Sequence, residues 1–436
     1  MKKLIQKILR FFARRILLRY KPQVVGITGS IGKTSCKEAI YTVLSSEFSA
    51  RQNDKNYNNE FGVPLTVIGT ETGGRNIFKW LLVFGRATRL LFWRDKSYPA
   101  VLVLEMGADH PGDIKYLTDF VKCYVGVVTG VAPVHIEFFG DLENIAKEKS
   151  VMVKSLDKNG IAVLNYDDEL VRGMANGLRA GKVITYGFEA GAEVQGYEEK
   201  ISGQNISRKD GVEAIRGISF KVSYDGNVVP VFLPAVVGKH SVNAALAAIA
   251  VGVAFGLNLV RIAESLGQYR PPKGRMNLID GIKYTLIIDD TYNSSPKPAI
   301  AALEVLAKVQ LPQARRKYAV LGDMLELGSY TERAHLEVGR KVAELGIDYL
   351  LTVGERSLQV ANAAIGAGMS EDRVYTFDNS AEAGKFLQDR IEQGDLILVK
   401  GSQGMRMEKI VKELMAEPLR AKELLARQGG GWEDNS

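Results

Sequence analysis

Two cysteines in 436 residues, Cys36 and Cys123, are too few for a disulfide framework and too far apart to give a zinc-ligand spacing. A reducing cytoplasm is therefore the compartment expected. Histidine is nearly as scarce, at four. No stretch reaches the ~20 consecutive apolar residues of a spanning helix. The first residues also lack the uninterrupted apolar core and the small-residue cleavage site of a secretory signal. What is present, 46% hydrophobic and 25% charged residues, describes a globular chain of two or three domains.

Charge is unevenly placed. The formal net charge is +7, yet Lys2, Lys3, Lys7, Arg10, Arg14, Arg15, Arg19 and Lys21 lie in an N-terminal arm without an acid, and the rest of the chain is close to neutral. No nucleic-acid groove is required by this balance, and no nucleic-acid partner is expected. The arm, "MKKLIQKILRFFARRILLRYK", places Leu4, Ile5, Ile8, Leu9, Phe12 and Ile16 at helical spacing with Lys3, Lys7, Arg10 and Arg14 on another face, which predicts an amphipathic helix over 1–21.

After Pro22 the chain alternates short apolar runs with helical stretches. "QVVGITGS", "AVLVLEMG", "VGVVTGV" and "GIAVLNYD" read as buried strands of a parallel sheet covered by helices. Between about Phe188 and Leu233 the pattern alternates instead, with Asp225-Gly226 as a hairpin turn, so an antiparallel patch closes this region before the helix "HSVNAALAAIAVGVAFG". Pro271-Pro272 marks a boundary, and "YTLIIDDTYN", "KYAVLGDM", "DYLLTVG" and "DLILVKGS" are the strands of a second, Rossmann-like α/β series. The expected organisation is a helix over 1–21, a central domain over 22–273 with a mainly parallel sheet, a C-terminal α/β domain over 274–425 and a loose tail over 426–436.

The stretch "GITGSIGKTS" carries the chemistry. A turn built on Gly29, Ser30 and Gly32 that ends in Lys33-Thr34-Ser35 can converge backbone N–H groups on phosphate oxygens, helped by the positive end of the following helix. Lys33 then reaches the terminal phosphates and the Thr34 hydroxyl a metal ion. The spacing departs from the usual phosphate loop, because Ile27 stands where its first glycine would be. Glu105 and His135 each follow a strand, at the edge where ligands of open α/β sheets collect. Taken alone, Glu105 fits a helix cap or a magnesium ligand, and His135 a loop histidine or a metal ligand.

The segments "NYNNEFGVPLTVIG", "EMGADHPGDI", "HIEFFGDLENIAKEKS", "GKHSVNAALAA", "GRMN", "DDTYNSSPKPAIAAL" and "VLGDMLELG" with "HLEVG" follow the phosphate loop in order. In this the chain resembles the Mur ligases, most closely the MurF type that joins D-alanyl-D-alanine to a muramoyl tripeptide. The resemblance runs from about Val24 to Glu413, and the last two motifs favour this type over its sisters. It implies ATP-dependent amide ligation through an acyl phosphate, with ATP and Mg2+ as cofactors. It further implies that Thr34 and Glu105 hold one magnesium, that His135 and a carbamylated Lys149 serve the second, and that His240 and Asn243 face the adenine. Arg275 and Asp290 would contact phosphate and ribose, with closure of the C-terminal domain over ATP as part of the cycle. Tyr292, Asn293, Asp323 and Glu326 would receive the dipeptide amine. Without the resemblance, Lys149 reads as a solvated helix lysine, and the last four equally as polar residues that hold loops.

Two other readings stay in view: a folylpolyglutamate synthase-like ligase on the same domains, and a non-catalytic nucleotide-binding scaffold at the membrane. "DDTYNSSP" and "GDMLELG" weigh against the first, and the joint presence of Lys33, Glu105, His135, Lys149 and Arg275 against the second. Relatives of this type carry a small domain ahead of the phosphate loop that holds the UDP end of the acceptor, whereas only the basic arm precedes Gly26 here. The long basic and apolar connection "RNIFKWLLVFGRATRLLFWR" fits either a helix packed on the sheet or an interfacial one. A peripheral hold on the inner face of the cell membrane through 1–20 and 76–94 is the expectation, with the acceptor's carrier held by a partner chain or as a lipid-linked precursor.

Overall fold

Continuous β-branched runs become fully buried parallel strands, the form such runs take when both faces of a sheet are covered. The computed structural model describes residues 2–54, 57–134, 136–204, 214–309 and 315–428. Two units divide the chain: residues 1–199, 219–233 and 240–270 form the first, and residues 200–218, 234–239 and 271–436 the second.

Strands β1 (Gln23–Thr28), β2 (Ala50–Gln52), β3 (Val101–Glu105), β4 (Val125–Val128), β5 (Ile161–Asn165), β6 (Lys182–Gly187), β7 (Val194–Gln204), β8 (Ala214–Tyr224) and β9 (Asn227–Pro234) make one sheet. Its order is β2-β3-β1-β4-β5-β6-β7-β8-β9, with parallel pairing from β2 to β7. Neighbours β8 and β9 are joined by Asp225 and Gly226 alone, both at positive φ (49° and 76°), which makes the predicted hairpin and the antiparallel patch. Beside the expected strands stand β2 and β6, which the sequence reading did not mark: one has three residues, the other begins exposed at Lys182.

Helices α1 (Lys2–Tyr20), α2 (Lys33–Ser45), α3 (Gly62–Ile68), α4 (Ile77–Phe92), α5 (Asp113–Thr118), α6 (Ile136–Phe139) and α7 (Leu142–Lys154) belong to the first unit. The basic arm is a helix, as its periodicity predicts, and it turns the predicted face inward: Leu9 and Ile16 are buried, Ile5, Ile8 and Phe12 half-buried, and Leu4 alone of that set is exposed. Leu9, Ala13 and Ile16 enter the core beside Val83, Ala87 and Leu90 of α4 and Leu102 and Leu104 of β3. Burying side chains the size of Leu9 or Ile16 contributes about 1.5–3 kcal/mol each. Leu4, assigned to the apolar face, is 63% exposed. Arg10 pairs with Asp119 at 3.6 Å and lies over the Tyr116 ring at 4.5 Å, and Phe12 stacks on Phe84 of α4.

In the second unit β10 (Asn277–Asp280), β11 (Leu286–Asp290), β12 (Lys317–Gly322), β13 (Tyr349–Val353), β14 (Val374–Phe377) and β15 (Leu396–Lys400) form a sheet of order β10-β11-β15-β12-β13-β14. All its pairs are parallel except β10 with β11. The two strands not marked in the sequence are its edges, β10 and β14, where one face need not be apolar.

Candidate active site

Strand β1 lies between β3 and β4, so the chain that leaves it emerges where the strand order reverses, the place where ligands of such sheets bind. The turn that follows needs its glycines. Gly29 sits at φ 145° with the Thr129 side chain against its Cα, so a Cβ there would run into the Thr129 hydroxyl, and Gly32 caps α2 at φ 79°. The loop is pinned to the end of β4. Ser30 N donates to Gly130 O at 2.7 Å, and the Thr129 hydroxyl donates to Ile31 O at 2.5 Å. Lys33 opens α2, and its Nζ folds back over the turn, donating to Gly29 O (2.7 Å) and Ser30 O (3.1 Å). Thr34 is half-buried, and Ser35 is buried beside the Tyr269 hydroxyl.

Glu105, the last residue of β3, pairs in register with Ile27, which brings it beside the start of the loop. It is buried, its backbone is clasped by the Asn53 side chain (2.9 and 3.0 Å), and Oε1 accepts from Asn58 Nδ2 at 3.0 Å. Glu105 Oε2 and Ser30 Oγ are buried without a hydrogen-bond partner. An orphaned carboxylate oxygen is costly in such a place unless a cation meets it. With the Thr34 hydroxyl it offers the hard oxygen donors that suit magnesium. These residues fit that ion.

Lys149, on α7, is 2% exposed, with Nζ 3.4 Å from Ala108 O. Burial and the Lys33 ammonium lower its pKa from 10.5 to about 8, against the pull of Glu148, Asp109 and Asp113. The structure therefore brings Lys33 and Lys149 into one electrostatic neighbourhood, and Lys149 is not the solvated lysine its helix suggests. Beside it is a residue the sequence reading passed over. The buried Glu148 carboxylate accepts from Gly112 N (2.9 Å) and Ile114 N (2.8 Å), which fixes the turn entering α5. Asp168 ties the β4 end in the same way, accepting from Val131 N at 2.7 Å. His135 lies outside the described residues. His240 and Asn243 begin the helix Lys239–Ala254, the first exposed and the second half-buried.

The second unit gathers its own group at the carboxyl ends of β11, β12 and β15. The Arg275 guanidinium lies over the Tyr292 ring at 4.3 Å. Asp290 Oδ2 accepts from Lys400 Nζ at 2.6 Å, and the same ammonium donates to Asn293 O at 2.9 Å. Asp323 Oδ1 accepts from Ser357 N at 2.7 Å, its carbonyl accepts from Ser402 N, and Ser402 Oγ accepts from Leu325 N. Glu326 is exposed at φ 64°. Three residues that escaped notice in the sequence hold this edge. Lys400 is one. Arg427 donates to the carbonyls of Thr291 and Tyr292 and to Glu408, and His335 accepts from Met324 N at 3.1 Å through Nε2. Since His335 Nε2 is an acceptor, the proton is on Nδ1, which faces Thr331 O at 2.7 Å. For His335 a signal existed in "HLEVG"; for Lys400 and Arg427 none did.

The chain is similar to known proteins over most of its length. The Mur ligase middle domain matches residues 88–252, and the Mur ligase, glutamate ligase domain matches residues 274–403. The UDP-N-acetylmuramoyl-tripeptide–D-alanyl-D-alanine ligase of Escherichia coli is 30% identical over 90% of this chain and 76% of its own length. Its counterpart in Bacillus subtilis is 29% identical over 94% of this chain and 80% of its own. A crystal structure of MurF from Acinetobacter baumannii superposes with a TM-score of 0.75 at 27% identity, covering 93% of this chain and 79% of that one.

Proposed function

The chain belongs to the Mur ligase family, and from that premise we propose that it is an ATP-dependent ligase of peptidoglycan precursor synthesis that joins D-alanyl-D-alanine to a muramoyl tripeptide. The observation that carries this reading is the cluster at the end of β1: a phosphate-type loop with its lysine, an orphaned carboxylate oxygen at Glu105, and a buried amine at Lys149.

In this reading a carboxylate oxygen of the tripeptide attacks the terminal phosphorus of ATP, the bond to the ADP oxygen breaks, and an acyl phosphate forms. The amine of the dipeptide then attacks the acyl carbon, loses a proton, and inorganic phosphate leaves. Both steps crowd anions together, so the chain must supply cations and N–H donors. The turn over Gly29, Ser30 and Gly32, with the first turn of α2, receives the phosphates, and Lys33 moves its ammonium from two loop carbonyls onto the transferring group. Thr34 and Glu105 are assigned to one magnesium, and His135 with Lys149 to the other. Magnesium bound there neutralises charge on the phosphoryl oxygens.

For Lys149 the assignment requires a carbamate, formed when the neutral amine bonds to the carbon of carbon dioxide and releases a proton to solvent. A pKa of about 8 in place of 10.5 raises the neutral fraction near pH 7 by roughly 300-fold. His240 and Asn243 are assigned to the adenine, and Arg275 and Asp290 to phosphate and ribose. Tyr292, Asn293, Asp323 and Glu326 are assigned to the loops that receive the dipeptide. A ligase of such precursors works in the cytoplasm.

Phosphate release from ATP tests the reading. The purified chain should release phosphate only when UDP-muramoyl tripeptide and D-alanyl-D-alanine are both present, with the pentapeptide product seen by mass spectrometry. Turnover with a folate acceptor and glutamate instead would favour the folylpolyglutamate synthase-like alternative.

A further inference from the structure

Helix α1 carries two apolar stripes, and the fold uses one. Leu9, Ala13 and Ile16 are in the core, while Leu4, Phe11 and Leu18, seven residues apart and therefore on one line of the helix, point the opposite way and are each more than half exposed. Both flanks of that exposed line are basic and exposed: Lys3, Lys7 and Arg14 on one side, Arg15 and Arg19 on the other. Helix α4 lies alongside, joined through Phe12 and Phe84, and buries Val83, Ala87 and Leu90 in the same core. Two neighbouring helices that bury one face each in a common core turn their other faces outward together. On α4 that outer face holds Ile77, Phe78, Leu82 and Phe92, each more than half exposed. The Tyr20 hydroxyl, accepting from Asp95 N at 2.8 Å, ties the end of α1 to the chain that leaves α4.

From this pairing we propose that the outer faces of α1 and α4 form a docking surface for an anionic lipid bilayer. Contiguous exposed apolar side chains mark interaction sites. The charge says which kind: α1 holds seven Lys and Arg and α4 three, and neither helix contains an Asp or Glu. A second copy of this surface would set like charges face to face, which opposes self-association. An apolar line flanked by bases is the pattern of a helix lying in the plane of a bilayer, with its rings and leucines among the acyl chains and its ammonium and guanidinium groups among the headgroup phosphates. Neither helix is long and apolar enough to cross, and none among the described residues is, so the surface rests on the membrane.

The test is co-sedimentation of the full chain with vesicles of phosphatidylglycerol mixed with phosphatidylcholine, against phosphatidylcholine alone, at low and high salt. Two variants accompany it: Lys3→Gln/Lys7→Gln/Arg14→Gln, which removes one basic flank, and Phe11→Ser/Phe78→Ser/Leu82→Ser, which removes the apolar contact. All six side chains are exposed and none is assigned to the active site, so ligation of soluble substrates should be unchanged in both. Wild-type chain should pellet with the anionic vesicles and be released by salt. The charge variant should bind about a hundredfold more weakly, since each basic residue near such a surface adds a factor of roughly five. The apolar variant should lose attachment at moderate salt. Three results would each overturn the proposal: equal binding by wild type and both variants, equal binding to neutral vesicles, or self-association that the apolar variant abolishes without any vesicle binding.

Discussion

Replacing Glu148 with alanine should uncouple the turn entering α5 from α7, and its cost can be worked from the two bonds the carboxylate accepts. Ile114 N is buried and has no route to water, so losing its charged acceptor costs about 2 kcal/mol, within the range for bonds to ionised groups. Gly112 is exposed, so water replaces much of its bond and the loss there is about 1 kcal/mol. Part is returned because a buried charge no longer has to be desolvated. The net, about 2–3 kcal/mol, corresponds to roughly 5–10 °C in the melting of a unit of this size. Glu148→Gln keeps one acceptor and should cost about half as much. Glu148 also raises the pKa of Lys149, so in the alanine variant the Lys149 pKa should fall further below about 8. Ligation should therefore be altered even at temperatures where the variant is fully folded, because the segment that carries Ala108 O against the amine loses its anchor at Gly112 and Ile114. Calorimetry of the full chain with turnover measured well below the melting point checks both parts. An unchanged melting temperature would refute the structural role, and altered stability with normal turnover would refute the link to Lys149.

Three further outcomes follow from the same geometry. Lys33→Ala should lower ATP-dependent ligation by roughly 10²-fold or more, with circular dichroism unchanged; near-normal turnover would remove the phosphate-loop assignment. Lys149→Ala should be nearly inactive in the phosphate-release assay and partly restored by small added carboxylates, whereas full activity without them would make Lys149 structural only. The Asp289 carboxyl, buried with Oδ2 unpartnered, is pushed up to about 6, so it stays protonated in the fold at pH values where the unfolded chain has released its proton. Stability of the second unit should accordingly fall as pH rises from about 4 to 6, by up to roughly 3 kcal/mol, and level off above that. Denaturant titrations of Asp289→Asn should show a flatter profile and a gain near neutral pH; a profile identical to wild type would contradict this.

How far the sequence disclosed the fold depended on what each strand touches. "VVGIT", "VLVLE", "VGVV" and "IAVLN" are apolar on both faces because helices cover both, and such runs are visible without context. β2, β10 and β14 lie at or beside sheet edges, where one face or one end is free, and their short mixed sequences look like loops. The loop at Gly29 and Gly32 was legible for the same kind of local reason, since the backbone conformation it needs is available to few residues other than glycine.

The residues that hold the site are a different case, because their partners are distant in the chain. Glu148 reads as one more acid on a charged helix, and only the fold reveals that the N–H groups it accepts from lie 34 and 36 residues away. Lys400 is the last residue of a buried strand, and its ammonium is acceptable there because Asp290, 110 residues earlier, ends the neighbouring one. Helix α1 shows the limit most directly. Periodicity establishes that it is amphipathic and picks out the line through Leu9 and Ile16, but a second apolar line runs through Leu4, Phe11 and Leu18, and the spacing does not show that this one stays exposed. Packing against α3 and α4 buries the first. With that line buried, the basic residues of the arm become the two borders of an exposed apolar strip, and a helix that is structural on one side carries on the other the surface we assign to an anionic bilayer.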